Sequence, residues 1–265
     1  MSRPLEAVLA RHRTIAIAAL CLLIVLAWAW VVFGAGMGMA PLVSLAPPGL
    51  GADSMAGMII GGEWTASYFG LVFAMWWIMM VAMMLPSAAP TILLFARAAT
   101  GSVPAVPPST GSFLAGYLIA WGAFSFVATS IHYWLESSGF LDPMSMGLHT
   151  RWLAGGVLLA AGAYQLSPLK EACLRQCRNP AQFISRYYRP GGRGALRMGL
   201  IHGTTCVGCC WLLMALLFVG GAMNLAWIAV LAIMVAAEKL LPFGRWTSIA
   251  TGLGCIAWGA AILLP

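Results

Sequence analysis

Six stretches of this chain are apolar for long enough to cross the hydrocarbon of a bilayer, and that limits the fold more than any motif does. They lie near 14–34, 68–96, 112–135, 196–220, 223–241 and 246–264, and a shorter run at 151–166 follows Arg151. A spanning helix needs about 17–25 residues. Inside lipid each backbone N–H and C=O must be satisfied within the segment, which makes such stretches helices. Only 8% of residues are charged, against roughly 25% in a soluble domain. The expected fold class is therefore all-α: a polytopic transmembrane helix bundle of about seven helices, forming a single integral membrane domain over 1–265. The first run, Thr14–Gly34, exceeds the roughly 7–15 apolar residues of a secretory signal and reads as a retained span.

The basic residues set the orientation. With the N-terminus inside, Arg3, Arg11 and Arg13 are cytoplasmic, and the outer loops 35–67, 136–150 and 221–222 contain no Lys or Arg. The inner loops then hold Arg97, the run from Lys170 to Arg197, and Lys239 with Arg245. This is the charge asymmetry of a protein threaded N-inside and C-outside; only Arg151 falls on the wrong side. Dropping the short fourth segment would invert every later loop. The net charge of +7 is thus accounted for by topology, without a nucleic-acid partner. The expected setting is the bacterial inner membrane, with the lipid bilayer as first partner. The basic cytoplasmic loop 167–197 predicts a short amphipathic helix, broken at Asn179–Pro180 and ended by Arg189–Gly192. It would lie on anionic headgroups or dock a partner. In the second run, Pro86 and Pro90 predict a kinked or unwound helix. In the fourth, Ala154, Gly155, Gly156 and Ala160–Ala163 allow close helix packing.

Reactive side chains concentrate in H-G-T-T-C-V-G-C-C-W, His202–Trp211. On a helix, His202, Cys206, Cys209 and Cys210 share a stripe with Met198, and the i, i+4 spacings allow two donors to grip one ion. Thiolate, imidazole and thioether together select a soft metal ion: copper(I) first, zinc or another soft cation next. A buried cysteine is also an ordinary small hydrophobe; three in five residues with a histidine on the same face favour ligation or redox work. In M-W-W-I-M-M-V-A-M-M, Met75, Met79 and Met83 share a face, with Met80 and Met84 beside it. Methionine is common core filler, yet counting about 1.5 Å per residue from the inner ends puts Met84 and Cys210 at one depth, with Cys255 near Cys206.

Cys173 and Cys177 form a second i, i+4 pair in the inner loop, where Lys170, Arg175 and Arg178 are expected to favour thiolate. Outside, Met37, Met39, Met55, Met58, Met144 and Met146, with His149, are candidates for first capture of the ion. Glu238 and Lys239 could couple protons or metal to movement, or simply pair with each other. His132 reads as a satisfied interface residue. No nucleotide-binding, phosphorylated-aspartate, hydrolase or haem-attachment motif is present, so no enzymatic activity is expected beyond a thiol oxidoreductase alternative.

The blocks W-I-M-M-V-A-M-M-L-P-S-A-A-P (Trp77–Pro90), Y-Q-L-S-P-L-K-E-A-C-L-R-Q-C-R (Tyr164–Arg178), G-T-T-C-V-G-C-C-W (Gly203–Trp211) and Glu238–Lys239 resemble a bacterial family of predicted metal-binding integral membrane proteins. The likeness runs from about Tyr68 to the end and implies metal binding in a membrane. From the residues themselves, the expectation is transport or delivery of a soft metal by ligand exchange, outer methionines to inner thiols, with a metallochaperone or membrane enzyme as partner. A membrane thiol redox protein and a structural subunit of a membrane complex are the rival readings.

Overall fold

The computed structural model describes residues 3–34, 64–101, 110–143 and 145–264, and nearly all of them are helical. In order these are α1 (Arg3–Val32), α2 (Ala66–Gly101), α3 (Thr110–Ser137), α4 (Arg151–Gln165), α5 (Pro168–Arg178) and α6 (Pro180–Tyr187). There follow α7 (Gly191–Ala215), α8 (Leu217–Gly220), α9 (Leu225–Leu240) and α10 (Gly244–Leu263). A two-residue hairpin, β1 (Leu141–Asp142) with β2 (Gly147–Leu148), joins α3 to α4, an element that apolar periodicity did not foretell. Among the described residues, five helices are long and apolar enough to cross a membrane: Thr14–Val32, Ala66–Ala98, Thr110–Ser137, Gly191–Gly220 and Gly244–Leu263. The other two expected spans, α4 and α9, are 15 and 16 residues long.

Hydrogen bonds sort the connections into two ends. The Ala222 and Met223 N–H groups donate to Met146 and Ser145 O, at 3.4 and 3.5 Å, tying the α8–α9 turn to the hairpin. At the opposite end Arg178 donates to Leu241 O (2.8 Å) and Pro242 O (2.7 Å), and Arg245 pairs with Glu171 at 3.1 Å. The second end is the basic one. Arg151, the exception in the charge pattern, donates to Ile262 O at 3.0 Å and satisfies a carbonyl that the last turn of α10 would leave bare.

Close helix contacts depend on missing side chains. A Cβ on Gly199 of α7 would sit 1.9 Å from Phe113 O of α3, and one on Gly116 would sit 2.2 Å from Leu196 O. These two helices therefore meet backbone to backbone, and α4 approaches α10 the same way at Gly162. The α2 prolines do not unwind their helix, which runs unbroken through Pro86 and Pro90. Pro86 has no N–H for Ala82 O, and Trp28 Nε1 of α1 supplies the replacement at 3.1 Å.

The basic loop folds back under the bundle. Ser167 caps α5 by accepting from Lys170 N–H, and Pro168 occupies the first turn, where its missing N–H costs nothing. Glu171 begins the helix and Arg175 and Arg178 end it, each matching the helix dipole. Lys170, Leu174, Phe183 and Ile184 are buried, so α5 and α6 close the basic end of the bundle and deliver Cys177 to its interior.

Candidate metal centre

Side chains from five helices meet within the bundle. From α7 come Cys206, Cys209 and Cys210, all buried. From α2 come Met84 and Ser87, from α3 Tyr117, from α5 Cys177, and from α9 Lys239. Cys210 Sγ lies 3.7 Å from Met84 Sδ, and Cys177 Sγ lies 4.0 Å from Cys209 Sγ. Cys173 Sγ is next to Gly208, 3.3 Å from where a Cβ would be, so the absence of a side chain there admits α5 against α7.

At the centre stands an ammonium. Lys239 Nζ is 2.9 Å from Cys206 Sγ, 3.5 Å from Ser87 Oγ, 3.9 Å from Met84 Sδ and 4.0 Å from Cys210 Sγ. Tyr117 OH reaches the same Cys206 sulfur at 3.2 Å, and also lies 3.2 Å from Met84 O. The Cys209 and Cys210 thiols donate to Cys206 O at 3.1 and 3.0 Å. Cys206 thus accepts through its sulfur, while its two neighbours act as donors. Among the described residues no three His, Cys, Asp or Glu side chains form a ready-made cage; the sulfurs meet pairwise around a lysine.

Glu238 and Lys239 do not pair with each other. Successive residues on a helix point about 100° apart, and these two serve different neighbours. Glu238 takes Lys170 Nζ at 2.6 Å and Gln165 Nε2 at 2.7 Å, with both members of the ion pair buried. This leaves Lys239 with sulfur and a hydroxyl in place of a carboxylate.

The expectation that basic neighbours would favour thiolate in the inner pair is corrected. Arg178 is spent on the Leu241 and Pro242 carbonyls, Lys170 on Glu238, and Arg175 leans toward Glu171 at 3.9 Å. Hydrogen bonding to Cys206 and Cys209, with burial next, pushes the Cys177 thiol well above its ordinary range. Burial, then the nearby Cys209, raises Cys173.

His202 shares the α7 stripe but sits in an aromatic enclosure. Its ring stacks on Tyr117 at 5.7 Å between centroids, with Phe183 at 5.1 Å and Phe113 at 6.0 Å, and Nδ1 has no hydrogen-bond partner. Met83 is buried on α2, whereas Met75 and Met79 border a separate small cavity with Met223. Cys255 is buried on α10, with Lys170 and Glu238 as its charged neighbours. His132 is buried; Trp76 Nε1 donates to its Nδ1 at 3.3 Å, and Nε2 lies 3.4 Å from Glu136. Of the outer candidates, Met146 is buried and His149 exposed, while Met37, Met39, Met55, Met58 and Met144 lie outside the described residues.

Sequence reasoning did not assign Tyr117, Ser87 or Met223. It placed Met84 at the right depth but beside the favoured face. Depth was the better signal here, because α2 is buried around much of its circumference and a single face is not privileged.

An apolar helical bundle with sulfur donors from α2, α5 and α7 gathered around one buried cation defines a class: a membrane protein suited to soft metal ions. The sequence matches the copper chaperone family PpoB2 over residues 73–262, well over half of the chain, and the protein belongs to that family. The matched region contains every residue of the sulfur cluster. No curated protein and no solved structure matches the chain.

Proposed function

We propose that this protein carries copper(I) as cargo in the bacterial inner membrane, held by Cys206, Cys210, Cys209 and Cys177 with Met84, and passes it on by ligand exchange. The observation that supports this reading most is the position of Lys239. A buried ammonium needs a counter-charge, the adjacent carboxylate is occupied by Lys170, and the nearest group is Cys206 sulfur at 2.9 Å. The ammonium and a Cys206 thiolate form a neutral pair in the resting protein, and the lysine stands where a soft cation would bind.

Copper(I) can take the place of Lys239 without changing the charge of the pocket. One unit of positive charge leaves the sulfurs as the lysine swings toward the inner interface, and one arrives. A divalent ion brings an extra charge, which at an effective dielectric of about 20 costs several kcal/mol at contact distances unless a further thiol ionises. Recruiting Cys210 or Cys209 as a second thiolate releases that thiol's proton and leaves one negative charge on the pocket, which draws the lysine back. Return of the lysine competes with the metal and keeps the site exchangeable, as delivery requires. Cys177, on α5 at the inner end, is the exit ligand. Thiols bind copper(I) more tightly than thioethers, which favours movement from outside to inside.

In this reading α4 and α9 complete a seven-helix topology with the N-terminus inside and the C-terminus outside. No catalytic step is assigned. A metallochaperone or membrane enzyme would receive the ion near α5. The test is metal content after anaerobic purification: wild type should retain copper(I), and the variant C206S/C209S/C210S should lose it. Equal stoichiometry in the two would remove the proposal.

A second reading is supported by one distance, the 4.0 Å between Cys177 and Cys209 sulfurs. Two thiols could lose two protons and two electrons to a membrane quinone and form a disulfide. A Cys177–Cys209 disulfide that cycles in cells, in protein without metal, would favour that reading over the first.

A further inference from the structure

We infer a second soft-cation site, separate from the thiol cluster and built from thioethers alone: Met75, Met79 and Met223. All three are buried and line one small void of about 10 Å³, otherwise walled by aliphatic side chains of α1, α9 and the 221–224 turn. That volume corresponds to a single water-sized sphere. Among the described residues no polar or charged side chain lines it, so a water there would have few partners, and a hard cation would exchange its hydration for little. Thioether sulfur selects a soft monovalent ion, copper(I) or silver(I).

The packing argues against filler as the whole role. Methionine has three rotatable bonds and normally closes irregular gaps, and protein interiors leave few voids. Here three of the most adaptable side chains border a gap that they leave open. The donors are also held in place. Met75 and Met79 are one turn apart on α2, and the Met223 backbone is pinned by its N–H bond to Ser145 O at 3.5 Å. Asn224 fixes the next residue by capping α9.

The site lies toward the end with the hairpin, away from the basic loops. Met79 and Met84 are five residues apart on one helix, a rise of about 7.5 Å. A monovalent ion bound by neutral thioethers keeps its full charge, binds less tightly than at the thiol cluster, and is drawn onward to it. This inference rests on the copper(I) reading above, extending it to an entry station.

The test is silver(I) and copper(I) titration of the purified full chain under anaerobic conditions. Wild type should bind two ions, and C177S/C206S/C209S/C210S should keep one weaker ion. Met75→Leu/Met79→Leu/Met223→Leu, which nearly conserves volume, should lose that weaker ion and keep the tight one. Met223→Leu alone alters no helix and should weaken the outer ion at least tenfold, which guards against misfolding of the triple variant. Unchanged stoichiometry and affinity in both methionine variants would overturn the inference, as would a cysteine-free variant that binds nothing. Wild type that binds no metal would instead overturn the copper reading, and this site with it.

Discussion

Two lysines are buried in this bundle, and they are held in opposite ways. Lys170 meets Glu238 at 2.6 Å, and Gln165 satisfies the other carboxylate oxygen. Lys239, the very next residue after that glutamate, meets Cys206 at 2.9 Å with methionine and a second cysteine about 4 Å away. A hard anion hydrogen-bonded on both oxygens is a lasting partner for an ammonium. A polarizable sulfur is a poor one, and prefers a soft metal. The first arrangement ties α5 to α9; the second, under the proposed function, leaves a cation that copper(I) can replace.

The comparison is broken most severely on the structural side. Glu238→Gln leaves a buried ammonium without its carboxylate and should cost about 3–5 kcal/mol, read as a large fall in the thermal midpoint of detergent-solubilised protein. A midpoint unchanged within error would mean that the pair is not a fastening. Lys239→Met should have the reverse profile. Stability should change less, because the Cys206 thiol can hold its proton once the lysine is gone, but bound copper should leave at least tenfold more slowly, a barrier increase of about 1.4 kcal/mol. If release were as fast as in wild type, the lysine would not be the competitor. Met84→Leu keeps the volume and should cost less than about 1.5 kcal/mol while weakening copper binding measurably in a competition titration.

The smallest effect concerns the inner pair. Since burial and Cys209 raise the Cys173 thiol, the sign is that of an acid kept protonated. Its alkylation should be slow at neutral pH and should climb only above the range of an ordinary thiol. Half-maximal labelling near pH 7 would show that the surrounding arginines control it after all.

Much of this was legible in the chain, for reasons specific to each residue. Long apolar runs can only be helices in lipid, and they gave the bundle and its basic end. The cysteine stripe on α7 followed from helical spacing, and counting depth put Met84 and Cys210 at one level without showing that they touch. What could not be read was direction. Glu238 and Lys239 adjoin in sequence, so pairing them was the simple expectation; their partners, Lys170 and Cys206, are 68 and 33 positions away. His202 has the spacing of a ligand, but Tyr117 and Phe183 arrive from other helices to enclose it. The thiol environment of Cys177 also depended on where α5 folds, which local charges did not reveal.

The account stands on the metal replacing the lysine as the partner of the sulfurs. X-ray absorption at the copper edge of anaerobically loaded wild-type protein tests it directly. The prediction is a first shell of sulfur alone, unaltered in His202→Phe and lost in the triple cysteine variant. A shell dominated by histidine nitrogen, or one that persists without Cys206, Cys209 and Cys210, would contradict it.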